Sequence, residues 1–130
     1  MHNYTLNHLR TKTDAVGARI KMNTSSEEQG TIIELVKDTF PYSYKVEMDD
    51  GTTITIVDQF PLNFFIHVEL KDGIKVMDMT GEVYTLGKHK HGDAFYTQKN
   101  DDPESYKEYI EPNGFAYHYD CGCNILKVIA

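Results

Sequence analysis

The stretch FAYHYDCGC (115–123) holds the chain's only two cysteines and one of its six histidines, and GKHKHGD (87–93) adds two more histidines. Thiolate and imidazole are the usual ligands of zinc and its neighbours, so His89, His91, His118, Cys121 and Cys123 form the candidate set for one zinc or other transition metal. Along an extended strand, side chains alternate between faces. Phe115, Tyr117 and Tyr119 then share a face with Cys121 and Cys123, while His118 takes the other. Joining His118 to the thiols requires a bend at Asp120 to Gly122, which Gly122 permits. Two thiols in C-x-C lie about 6 to 7 Å apart in an extended chain, farther than two thiolates held at about 2.3 Å by one tetrahedral zinc. Zinc loops usually space their cysteines by two or more residues. A disulfide between these two cysteines would close a strained ring. The same residues also read as a strand ending in a glycine turn, with the cysteines buried as small hydrophobes. GKHKHGD likewise reads as a solvated basic loop whose Lys88 and Lys90 oppose a cation. No cofactor is the expectation, and a bound metal is the alternative.

His89-Lys90-His91, followed by Pro112-Asn113-Gly114 ahead of His118, resembles the metal motifs of cupins, small barrels that hold a metal ion. The resemblance implies a metal- or small-ligand-binding barrel using His89, His91 and His118. The position four residues after His91, acidic in that family, is Phe95 here. No phosphate loop, no G-x-G-x-x-G and no nucleophile elbow occurs. No pair of carboxylates stands out as general acid and base, so no catalytic residue is assigned and the chain reads as a non-enzyme.

Charge gives a second set of candidates. Twenty acidic residues against thirteen basic leave a formal charge of −7 over 130 residues. Between Asp101 and Asp120 six carboxylates face the single Lys107, a net of −5. Tyr106, Tyr109, Tyr117 and Tyr119 are interleaved with them. Carboxylates pair with guanidinium groups and tyrosine rings stack on them, so Asp101, Asp102, Glu104, Tyr106, Glu108, Tyr109 and Glu111 are expected to meet a basic protein surface. The ordinary alternative is a solvated acidic segment. Direct nucleic-acid binding is disfavoured, because phosphate neutralisation requires Lys and Arg.

The elements that position these residues are mostly strands. VGARIKM (16–22), GTIIELV (30–36), YSYKVEM (42–48) and TTITIV (52–57) alternate, and Asp49-Asp50-Gly51 predicts a hairpin between the last two. LNFFIHVEL (62–70) and IKVMDM (74–79) flank Lys71-Asp72-Gly73, which predicts a second hairpin. Thr80-Gly81 then turns into EVYTL (82–86), and DAFYT (93–97) and NILKVI (124–129) complete the strands. QKNDDPESYKEYI (98–110) predicts a short helix starting near Asp102-Pro103. The fold class expected is mainly β, a small antiparallel β-barrel or sandwich of about nine or ten strands with at most one or two short helices. Its core is expected to include Ile20, Ile32, Leu35, Val46, Ile54, Ile56, Val76, Val83 and Leu126. The length suits a single domain, 1–130. Neither a signal-peptide run nor the roughly 20 apolar residues of a membrane helix is present, so the expectation is a soluble, cytoplasmic protein without membrane contact.

VGARIKM, the polar loop after it, GTIIEL and YKVEMDDGTTITIV resemble the first four strands of SH3-like barrels of the KOW and Tudor type, over residues 14–60, with 61–130 as a β-rich extension. The resemblance implies binding of proteins or nucleic acids, with Tyr42 and Tyr44 as candidates for a ligand cage. A nucleic-acid module requires Arg19, Lys21 and Lys45 to cluster. In size and charge the chain also resembles phage and mobile-element inhibitors of nucleic-acid-handling enzymes, such as anti-CRISPR proteins. The function expected is therefore non-enzymatic binding of a basic protein surface.

Overall fold

A computed structural model describes residues 6, 9, 11–59, 62–88, 94–98, 109–112 and 124–129. The fold is mainly β, with ten strands in two antiparallel five-stranded sheets among the described residues. The chain divides into two compact units, Met1–His67 and Val68–Ala130. No helix among the described residues is long and apolar enough to cross a membrane.

In the first unit a 3-10 turn at Lys12–Ala15 precedes β1 (Arg19–Met22), β2 (Gln29–Lys37), β3 (Ser43–Met48), β4 (Thr53–Val57) and β5 (Phe64–Ile66). Strand order is β4-β3-β2-β1-β5: a meander whose last strand returns to the first. The alternation of β3 explains its placement, because Tyr44, Val46 and Met48 are buried while Glu47 is exposed. Tyr44 lies opposite Ile56, Val46 opposite Ile32, and Ile20 opposite Ile66, so one face of the sheet is continuous apolar core. Leu6 and Leu9 are buried as well. Leu35 and Ile54, expected in this core, are only half-buried.

The β3–β4 hairpin follows its local chemistry. Gly51 N donates to Met48 O (2.9 Å), Met48 N donates to Thr52 O (2.8 Å), and Gly51 has φ +92°. This is the bonding of a three-residue hairpin loop whose last position needs positive φ, which glycine takes without steric cost. Asp50 Oδ1 accepts from both N (2.9 Å) and Oγ1 (2.6 Å) of Thr52, tying the turn down. These bonds hold the Asp50 carboxyl below its ordinary pKa.

The second unit contains β6 (Lys75–Asp78), β7 (Val83–Lys88), β8 (Phe95–Gln98), β9 (Tyr109–Ile110) and β10 (Ile125–Val128), in the order β10-β6-β7-β8-β9. Val76, Leu86, Phe95, Ile110, Ile125 and Leu126 are buried, whereas Val83 is half-buried. Thr80-Gly81 makes the same hairpin as the first: Gly81 N donates to Asp78 O (3.1 Å) and Asp78 N to Glu82 O (2.9 Å).

Two sequence expectations are corrected. Lys71-Asp72-Gly73 does not join a hairpin, because β5 pairs with β1 whereas β6 pairs with β7 and β10. The turn instead docks on β7, with Gly73 N donating to Leu86 O (2.7 Å) and Lys88 N to Asp72 Oδ1 (2.9 Å). Tyr109 and Ile110, read as the end of a helix, are a strand because they pair with Tyr96 and Phe95 and bury Ile110. Gln98, at the start of that segment, belongs to β8 and pairs with Thr85, whereas residues 99–108 lie outside the described residues, as does FAYHY.

One experiment distinguishes a single cooperative domain from two folding units. The fragment ending at His67 contains all five strands of the first sheet. It is expected to unfold in urea with one cooperative transition. A fragment without a cooperative transition would mean that the first sheet depends on residues 68–130.

Candidate functional site

The first unit gathers polar and aromatic side chains at one end of β2, β3 and β4. Two register shifts in the β2–β3 ladder, between Ile32 and Glu34 and between Leu35 and Lys37, leave Ile33 and Val36 as extra residues on β2. Bulged residues leave the pairing pattern, and both are exposed. Val57, opposite Ser43 at the end of β4, is exposed as well. In the connection between β2 and β3, Phe40 stands 62% exposed beside Tyr42, the rings meeting edge to face at 6.4 Å and 86°. Val36, Phe40, Tyr42 and Val57 thus fall at the same end of the three-strand ladder.

Lys12 adds a cation to this corner. Its Nζ lies 4.7 Å from the centroid of the Tyr42 ring and donates to Leu9 O (2.8 Å) and, longer, to Leu6 O (3.4 Å). A cation over a tyrosine face contributes about 0.5–2 kcal/mol, depending on desolvation. Burial pulls the Lys12 pKa below its ordinary value, against the opposing pull of Asp58 and Asp38. Asp58 is fully buried, and its amide donates to Tyr42 O (2.9 Å). Tyr44 behaves differently from Tyr42: its side chain is fully buried, and its hydroxyl has no hydrogen-bond partner among the described residues. Burial first, then the Asp58 charge, pushes its phenol pKa well above the ordinary tyrosine value. A partner approaching this corner therefore meets Phe40 and Tyr42, and Tyr44 is core.

The basic residues on the outer face of the first sheet are largely compensated. Arg19 reaches both carboxylate oxygens of Asp49 at 2.7 Å and donates to Thr31 (3.0 Å) and Gln29 (3.2 Å). That pairing holds the Asp49 carboxyl below its ordinary pKa. Lys21 lies 3.4 Å from Glu27, and Lys45 stands opposite Glu34. Each basic residue of the trio has a carboxylate nearby, so the trio does not form an uncompensated basic patch.

Of the acidic set, Glu111 is half-buried just after β9 and Tyr109 belongs to β9. Asp101, Asp102, Glu104, Tyr106 and Glu108 lie outside the described residues, as do His89, His91, His118, Cys121 and Cys123. Among the described residues, no three of His, Cys, Asp and Glu are grouped to hold a metal ion. Sequence reasoning named Tyr42 but missed Lys12, Phe40, Val36 and Val57. The run Phe40-Pro41-Tyr42 between two alternating segments was a signal for an exposed aromatic turn, whereas the bulges of β2 had none.

The sequence matches no protein-family model, and no curated protein shows significant similarity to it.

Proposed function

We propose that this protein is a non-enzymatic interaction protein that binds a basic protein surface, as an inhibitor of a nucleic-acid-handling enzyme does. The observation that carries the reading is the concentration of charge: a net of −5 between Asp101 and Asp120, with four tyrosines interleaved, in a chain of net −7. Carboxylates steer a basic partner from a distance, and aromatic rings supply the anchors that hold it. The exposed Phe40 and half-buried Tyr42 support a binding role for the first unit as well. Fold class alone does not carry function.

A second reading has its own support. The meander β1 to β4 with β5 returning to β1 supports an SH3-like module in the first unit, whose sheet extends beyond residue 60 to include β5. The carboxylates beside Arg19, Lys21 and Lys45 favour a protein ligand over a nucleic acid for such a module.

The test is association kinetics with the partner recovered from host cells. As the Debye length shrinks from about 30 Å at 0.01 M salt to about 8 Å at 0.15 M, the on-rate should fall steeply. Charge reversal at Asp101, Asp102 and Glu104 together should slow association. Tyr106→Ala, Tyr109→Ala or Phe40→Ala should instead speed dissociation wherever that ring is an anchor. Indifference of the recovered complex to all of these changes would sink the proposal. Elemental analysis showing one metal per chain, lost in His118→Ala, would move the cupin-like alternative ahead of it.

A further inference from the structure

Among the described residues four strands lie at sheet edges: β4 and β5 in one sheet, β9 and β10 in the other. An edge strand presents open N–H and C=O groups, and proteins protect such edges by shortness, cover, charge, proline or bulges. Three of the four show a protective device. β5 has three residues, all buried; β9 has two; β10 carries Lys127 beside a register shift. Among the described residues β4 has none of these. Its five residues, Thr-Ile-Thr-Ile-Val, are all β-branched and uncharged, pair with β3 without a register shift, and leave Thr53, Thr55 and Val57 exposed.

Ladder geometry decides which polar groups face outward. Met48 N donates to Thr52 O (2.8 Å), and Asp58 N donates to Tyr42 O (2.9 Å). Thr52 and Asp58 therefore sit in hydrogen-bonded pairs, and in an antiparallel ladder every second residue does the same. Ile54 and Ile56 point their amides at β3, whereas Thr53, Thr55 and Val57 point theirs away. Among the described residues, none of those three amides donates to another backbone group, and the Val57 carbonyl accepts from Gln59 N (3.0 Å).

We propose that the β4 edge pairs antiparallel with the β4 edge of a second copy of this chain, about a two-fold axis at Thr55. The outward positions are symmetric about Thr55, so the reversed strand sets Thr55 opposite Thr55 and Thr53 opposite Val57. Thr55 then exchanges two bonds with Thr55 of the second copy and Val57 N meets Thr53 O, while Thr53 N shares the Val57 carbonyl with Gln59 N, the isologous arrangement of two-fold dimers. The two-fold match of its own outward positions selects this occupant, and the absence of charge on the strand permits the pairing. Two copies of a chain of net −7 repel, and like charges directly opposite across strands destabilise pairing. On the β4 edge only Thr, Ile and Val face one another, and Asp58 falls opposite Thr52 of the second copy.

The test uses the full chain, from low micromolar to near-millimolar concentration, with sedimentation equilibrium and residue-resolved amide exchange. The expected result is a concentration-dependent dimer in which the Thr53, Thr55 and Val57 amides gain protection as the dimer fills, while those of Ile54 and Ile56 are protected throughout. Thr55→Pro removes an outward amide without touching the β3 ladder. Thr55→Lys keeps the backbone intact and adds an edge charge, so it remains informative if the proline variant fails to fold. Either change should raise the dissociation constant about tenfold or more. A monomer at every concentration overturns the proposal, and so does a dimer that Thr55→Lys leaves intact. Protection of the three amides independent of concentration also overturns it, since the edge is then covered within one chain.

Discussion

Tyr44→Phe should leave stability unchanged or raise it by up to about 1 kcal/mol, whereas Tyr44→Ala should lower it by about 3–5 kcal/mol. The ring is fully buried opposite Ile56, so truncation to alanine opens a cavity in the core. The hydroxyl has no hydrogen-bond partner among the described residues, and removing it removes a desolvation cost. Urea midpoints at unchanged slope provide the measurement. A Phe variant much less stable than wild type would show that the hydroxyl holds a bond the core needs. The pH dependence has a definite sign. The folded pKa is raised above the ordinary value of 10.0, chiefly by burial, so the stability from keeping this phenol neutral is complete below that value. It is lost as pH rises above it, because the unfolded chain then ionises and the folded one resists. Tyr44→Phe should flatten that alkaline decline.

Asp78→Ala should cost about 1–3 kcal/mol, and Asp78→Asn far less. Asp78 is 2% exposed, and its Oδ1 accepts from Thr80 N (2.9 Å), Thr80 Oγ1 (2.6 Å) and Glu82 N (3.1 Å). Those bonds close the β6–β7 hairpin. Alanine leaves two backbone amides of the turn without their acceptor, while the asparagine oxygen can retain both. Burial raises the Asp78 pKa, and the hydrogen bonds from Thr80 and Glu82 oppose the shift without cancelling it. A carboxyl whose folded pKa is raised above 3.8 contributes most below that value and loses its contribution as pH rises through the folded pKa. Wild type should therefore gain on Asp78→Asn as the medium is acidified. The opposite trend in paired denaturation curves would mean that the hydrogen bonds outweigh burial.

The aromatic corner links packing to the proposed binding role. Phe40 is held out by a connection whose neighbours, Tyr42 and Lys12, are already engaged with each other. An exposed phenyl beside a satisfied cation–π pair presents a preformed surface, which reduces the ordering cost of association.

Local chemistry determined much of this protein without reference to the fold. Asp49-Asp50-Gly51 and Thr80-Gly81 set their hairpins because a short loop depends only on the residues inside it and the alternating strands beside it. Period-two alternation likewise placed Val46, Ile56 and Val76 in the core, and applied strictly to YSYKVEM it places Tyr44 there too. Strand pairing between distant segments was not determined in this way. LNFFIHVEL carried a turn signal toward IKVMDM, yet Phe64–Ile66 pairs with Arg19–Met22, more than forty residues earlier. A turn motif reports the bend at Lys71-Asp72-Gly73; the partner on either side is chosen by which apolar faces bury together. The tertiary structure also decided the fates of Leu35, Ile33 and Val36, because a bulge shifts every later side chain relative to its partner strand, and no residue type in GTIIELVK marks where that shift occurs.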